Sequence, residues 1–387
     1  MKTDTYHLYS AQTYVREPAD LWEKEGDPKF RHRVPRVVNF NNTPHWVVED
    51  GIPLSVAEDI EKTIVYVTSP APDIYVQELN RNGIAGAVLY PSVAHLAYKC
   101  LDTELLTAVI KTYNNWVIEF CRMFPKQLKA IALLNVDDPN EAVAELERTA
   151  SMGAAGVMIP LYPHTEQRYD NPKYEILWRT AERLGIPISF LTDTLRQPKT
   201  SEPVFDLTLN KLSSEGDVLY SFIHQSCQYV YVRIAIASLL LSGVFARYPN
   251  LRVVVAGFSA NWVPYFLTRT DEMYEVRPER TGIGADAEHS GNYERFEMAQ
   301  ERIGFNFTKG ERPSDYFRRN VYVTFQGDPV GRQLPDFLDM KNLLWEDSQF
   351  SDRSAVPVSH SSRDFRIDKG DRSVLLASQN AARLYGF

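Results

Sequence analysis

Residues 125–160, PKQLKAIALLNVDDPNEAVAELERTASMGAAGVMIP, hold one full unit of the pattern that decides the fold. Pro125 precedes Leu128–Val136, a near-continuous apolar run. Asp138 then stands where a helix cap belongs, with Pro139 at the first helical position and Glu141 three residues after the cap. Gly153 supplies the left-handed stop, and Ala154–Pro160 is a second apolar run. Strands that are apolar along their whole length, rather than at alternate residues, belong to a parallel sheet covered on both faces.

Outward from this unit the phrase recurs. Asn82-Gly83 leads into Ile84–Tyr90, Leu184-Gly185 into Ile186–Leu191, and Pro249-Asn250 into Leu251–Phe258. Asn320 leads into Val321–Gln326, and Asn342 into Leu343–Trp345. Between them, Asn171, Pro172 and the periodic Tyr174, Leu177, Ala181 and Leu184 form a helix closed by Gly185; Val232–Tyr248 reads as one long apolar helix, and Ser373–Tyr385 as the last. With Tyr6–Val15 as the first strand the count reaches eight, which predicts a distorted (β/α)8 barrel of TIM type. A doubly wound open sheet is the rival, but no GxGxxG or P-loop follows any strand. The expected organisation is one barrel domain over residues 1–387, with 17–80 and 277–316 as lid or insertion segments.

Composition narrows the partners. The 42 basic and 50 acidic residues are interspersed and leave a net charge of −8, so the basic stripe of a nucleic-acid-binding protein is missing. The densest basic stretch, RHRVPR at 31–36, is short. No apolar run reaches spanning length, the first ten residues lack the apolar core of a signal peptide, and three scattered cysteines form no framework. A cytoplasmic protein acting on a small molecule, without nucleic acid or membrane, is the expectation. An aromatic content of 12%, with 21 tyrosines, suits an apolar pocket or a thick core.

The motifs carry a resemblance. Glu17-Pro18-Ala19-Asp20-Leu21-Trp22, Tyr113-Asn114-Asn115-Trp116, Gly243-Val244-Phe245, Asn261-Trp262-Val263-Pro264-Tyr265, Asn342-Leu343-Leu344-Trp345 and the closing Asn380–Phe387 stretch resemble, in order, the amidohydrolase-2 family of decarboxylases and hydrolases. The resemblance implies a barrel with its site at the carboxyl ends of the strands, a catalytic metal, and assembly as a homodimer or larger. The metal positions, however, are changed. Where the family has D-x-H on strand one, this chain has Gln12 and Tyr14, which share a face as residues i and i+2. The strand-five histidine falls at Leu191, the strand-six ligand near Gly257, and the strand-eight acid at Asp347. Amide, phenol, hydrocarbon and glycine do not make the imidazole and carboxylate field of zinc. No metal or other cofactor is therefore expected.

Other groups must then carry any chemistry. His95, His164 and His224 follow strands on the loop side that builds barrel active sites, and each is a candidate acid or base near neutral pH as well as an ordinary loop histidine. Asp193 and Asp347 are candidate carboxyl acids or bases, and Tyr14 a phenol able to donate a proton or polarise a carbonyl. Gln12, His95, Trp46, Gln326 and Glu346 are candidate substrate contacts. The leading expectation is a metal-independent lyase or cyclase (decarboxylation, dehydration or cyclisation) on a small, partly apolar, aromatic or polyketide-like substrate. The alternatives are a metal enzyme rebuilt on His164, His224 and Asp347, and a non-catalytic relative that binds a ligand or stabilises a partner.

Overall fold

The computed structural model describes residues 7–40, 43–49, 51–53, 71–163, 168–192, 194–196, 229–275, 311–326, 339–347 and 372–387. Eight strands form one sheet: β1 (Leu8–Val15), β5 (Ile84–Pro91), β6 (Leu128–Leu133), β7 (Gly156–Met158), β8 (Ile188–Leu191), β9 (Val253–Ala256), β10 (Val321–Phe325) and β11 (Leu343–Trp345). Their spatial order follows the chain, and every adjacent pair is parallel. The apolar runs do what their composition requires, because strands of a barrel core lie under side chains on one face and helices on the other. All four residues of β8 and of β9 are buried.

The helices are α1 (Leu21–Glu25), α2 (Pro72–Arg81), α3 (Thr103–Arg122), α4 (Pro139–Met152), α5 (Glu175–Leu184), α6 (Tyr229–Leu241), α7 (Val244–Arg247), α8 (Val263–Glu275), α9 (Pro313–Asn320) and α10 (Arg372–Tyr385). Asp138 caps α4 through the Asn140 N–H, and Gly153 closes it at φ 104°. The helix expected over Val232–Tyr248 is two helices, because Gly243 turns left-handed at φ 74° between α6 and α7. Buried asparagines finish what the strand ladders leave open. Asn114 of α3 donates to the Leu133 carbonyl at 2.9 Å and accepts the Leu133 N–H at 2.7 Å, while Asn342 donates to the Val321 carbonyl at 2.8 Å. Both residues sit in the motifs quoted above, and the reason is backbone satisfaction in a dry interior.

The barrel closes at a seam between β1 and β11. The Asp347 N–H donates to Ser10 Oγ across it at 2.9 Å. Helix α10 straps both sides: Ser378 Oγ accepts the Tyr9 N–H at 2.6 Å, and Asn380 donates to the Leu343 carbonyl at 2.9 Å. Inside, Tyr90 of β5 reaches across to Ser189 Oγ of β8 at 2.8 Å.

The segment 17–80, expected as loop or lid, holds more structure than that. It contains α1, a small antiparallel sheet of β2 (Arg36–Phe40), β3 (Thr43–Val48) and β4 (Ile52–Pro53), and α2 of the barrel's own ring. Glu49, one residue past β3, accepts the N–H groups of Leu101 and Asp102, which ties this sheet to the chain leaving the carboxyl end of β5. Of the other expected insertion, 277–310 lies outside the described residues, and its last residues enter α9. Among the described residues no helix is long and apolar enough to cross a membrane.

Candidate active site

The site begins with an irregularity in β1. Ser10 pairs with Ala87 and Thr13 with Leu89, so three steps along β1 face two along β5. This β-bulge is pinned by Ser10, whose Oγ donates to the Gln12 carbonyl at 2.7 Å and accepts from Thr13 Oγ1 at 2.9 Å. Bulges next to barrel rims re-aim side chains, and here the re-aimed residue is Gln12. Its amide is 1% exposed, and Nε2 donates to the Tyr14 hydroxyl at 3.1 Å. The two positions do share a face. Among the described residues, Oε1 of Gln12 has no hydrogen-bond partner.

Two further positions meet this amide. Gly257, just past β9, lies at φ 79° with its N–H bound to Thr324 Oγ1 at 3.0 Å. A Cβ placed on Gly257 would lie 3.3 Å from Gln12 Nε2, 3.5 Å from Gln12 Oε1 and 3.5 Å from Leu191 Cδ1. Gln12, Leu191 and Gly257 are thus immediate neighbours where β1, β8 and β9 end.

The carboxyls after β11 divide. Glu346 and Asp347 are both buried, at 3% and 8% exposure. The Glu346 charge is felt at the Tyr90 phenol inside the barrel, which burial above all pushes far up. The Asp347 charge is felt at Tyr75 on α2, whose phenol is raised well above its ordinary value first by burial, then by Cys121 and Asp347. Tyr75 in turn donates to the Tyr14 carbonyl at 2.9 Å. The Asp347 backbone lies at the β1 seam, where its N–H reaches Ser10 Oγ.

His95 lies in a short 3-10 helix, Ala94–Lys99, at the end of β5. Burial and then the Lys99 charge hold its imidazole down at about 4, so it is neutral at neutral pH and the expected near-neutral titration does not occur. Trp46, expected as a lid contact, is 1% exposed and packs edge-on against Trp22 at 5.8 Å; it is part of the core that fastens the small sheet. Gln326 is half-buried, one residue past β10. His164, His224 and Asp193 lie outside the described residues, as does Cys227.

Two residues at the strand ends escaped the sequence reading. Glu17 is buried, and its carboxylate accepts the Ser92 hydroxyl at 2.5 Å and the N–H groups of Val93 and Ala94 at 3.1 and 2.9 Å. Burial still raises its pKa above the usual range. It builds the start of the helix that carries His95, and its only mark in the sequence was the motif that contains it. Arg196, fully buried, pairs with Asp137 at 2.6 Å and donates to the carbonyls of Tyr98 and Cys100 at 2.7 and 2.5 Å. That pair locks the loops after β5, β6 and β8 together.

A nearly closed ring of eight parallel strands, with polar side chains at their carboxyl ends, defines a TIM-like barrel. Within that class the chain belongs to the amidohydrolase-2 family, whose profile matches residues 87–289, a little over half of its length. Among curated proteins it is similar to the decarboxylase orsB of Emericella nidulans (28% identical, covering 38% of this chain and 43% of that one). It is also similar to the gamma-resorcylate decarboxylase of Rhodococcus jostii (24% identical, covering 73% and 78%). The chain thus spans under half the length of the first of these relatives. Among solved structures, an amidohydrolase from Mycobacterium avium subsp. paratuberculosis shares the fold with TM-score 0.68 at 17% identity, covering 99% of this chain and 98% of that one. A dihydroxybenzoic acid decarboxylase from Polaromonas sp. JS666, bound to manganese and 2-nitroresorcinol, does so with TM-score 0.61 at 16% identity, covering 98% and 97%.

Among the described residues, the groups at these positions do not fit a manganese or zinc ion. A manganese or zinc ion needs several carboxylate, imidazole or other donor atoms converging at bonding distance. At the converging positions Leu191 offers hydrocarbon, Gly257 offers no side chain, and Gln12 offers one neutral amide. Among the described residues no three His, Cys, Asp or Glu side chains gather in a way that would hold a metal ion.

Proposed function

We propose that this protein is a lyase that decarboxylates a small aromatic acid by proton transfer, with no cation at the family's metal position. The observation that carries this is the meeting of Gln12, Leu191 and Gly257, three positions whose side chains surrender the family's ligand field at one spot. Decarboxylation is the activity named for the relatives from Emericella and Rhodococcus. It also suits the groups present, since it needs a proton donor, an oriented ring and a dry carboxylate more than a Lewis acid.

In this reading the ring of a hydroxybenzoic acid lies against Leu191 and Gly257. A carboxyl donor, Glu346, delivers a proton to the ring carbon that bears the carboxylate. The bond to the carboxylate then breaks, its electron pair returns to the ring to restore aromaticity, and carbon dioxide leaves. Leu191 contributes by excluding water from the carboxylate, whose charge is dispersed as the bond breaks. Tyr14 and Gln12 hold the ring hydroxyl and so set its orientation.

The test is turnover of 2,6-dihydroxybenzoate by purified protein before and after exhaustive chelation, with metal content measured on the same sample. The rate should stay within about twofold, because no step depends on a Lewis acid. Loss of activity that manganese or zinc alone restores would overturn the proposal.

A further inference from the structure

We infer that the outer flank of α3 is a docking surface for a second copy of this chain, with the two α3 helices antiparallel about Asn115 and each Lys111 seated in a groove beside the partner's Glu119. The inference concerns the outside of the barrel and does not depend on the proposed function.

Lys111, Asn115 and Glu119 are exposed and spaced by four, so they form one stripe along a 20-residue helix. The helical neighbours of Lys111 are Thr107, Ala108, Asn114 and Asn115, none of them acidic, and Lys111 makes no ion pair among the described residues. Beside Glu119 the surface opens into a groove of about 440 Å³, lined by Trp116, Phe120 and Met123 together with Asn115 and the carboxyl residues Glu25 and Glu119. The rings of Trp116 and Phe120 lie 5.6 Å apart at 48°, and Met123 is 63% exposed. No basic side chain lines the groove. Aromatic and apolar surface beside two carboxylates suits a cation on an apolar stem, which describes a lysine.

The charge order along the helix selects which lysine. A two-fold axis at Asn115 relates position 111 to position 119, so one copy's Lys111 meets the partner's Glu119, and the contact repeats across the axis. The same axis relates Glu104 to Lys126, again of opposite sign, although Lys29 of the same chain shares Glu104. Moving the axis one turn to either side would set Lys111 on Lys111 or Glu119 on Glu119, so like charges reject the neighbouring registers. Arg122 already holds Glu119 at 2.6 Å, but that pair is exposed and contributes little by itself.

The experiment is analytical ultracentrifugation of the purified protein over about 1–100 μM, where a dimer with Kd on the order of micromolar is expected. Lys111→Glu and Glu119→Lys each replace two attractive contacts by two repulsive ones and should weaken association about tenfold or more. The double variant reverses both charges and should return to within about threefold of the parent. Circular dichroism of each variant checks the fold. Trp116 is half-buried whereas the other five tryptophans are buried, so tryptophan emission of the parent should shift to longer wavelength on dilution. A parent that stays monomeric, an emission that does not move, single variants that associate as the parent does, or a double variant no tighter than the singles overturns the inference.

Discussion

At the scale of single residues, the two acids after β11 make separate predictions. Glu346→Gln keeps the size of the side chain and removes its proton, and should lower kcat by about 10²-fold or more with a smaller change in KM. Asp347→Asn should act on stability more than on turnover, since its charge bears on the buried Tyr75 phenol of α2. Steady-state kinetics of both variants check this; equal loss of kcat in the two would contradict the division of roles. The sequence offers both acids, Asp347 as a candidate acid or base and Glu346 as a candidate substrate contact; β11 ends at Trp345, so strand alternation does not extend to either of them. For Gln12 and Tyr14, within β1, the same rule worked. That the amide keeps an unfilled acceptor is a property of the packing around it, and no residue pattern encodes that.

At the scale of elements, strand positions were legible because each is a short apolar run between a glycine or proline and a polar loop. The small sheet of β2 to β4 was not, since Pro, Asn and charge conceal weak antiparallel pairing. Nor did the sequence foretell that Glu17 organises a helix more than seventy residues away. Glu17→Ala would leave the Val93 and Ala94 N–H groups without acceptors in a dry place. It should lower unfolding free energy by about 2–4 kcal/mol, read from urea melts. A change below about 0.5 kcal/mol would mean that these groups find other partners.

At the scale of the whole molecule, the buried imidazole makes stability depend on pH. The ordinary value for His95 is 6.5 and burial lowers it to about 4 in the folded chain. Between those values the unfolded chain binds the extra proton, so the contribution is present above pH 6.5 and is lost as pH falls toward 4. The loss is at most about 3 kcal/mol. Glu17, raised by burial, works in the opposite direction just above its ordinary value of 4.5 and offsets part of it. Urea melts at intervals across this window should show the decline in the parent protein and a flatter profile in His95→Gln; parallel profiles would refute the assignment.

The strap that α10 lays over the seam has a consequence for biosynthesis. Ser378 of α10 and Tyr9 of β1 are 369 residues apart, and the Ser378 hydroxyl accepts the N–H that Tyr9 presents at the edge of the first strand. During translation the first strand must therefore wait, with a raw hydrogen-bonding margin, for nearly everything that follows it to emerge from the ribosome. Chaperone capture of the nascent chain should persist until residues 372–387 are free of the exit tunnel.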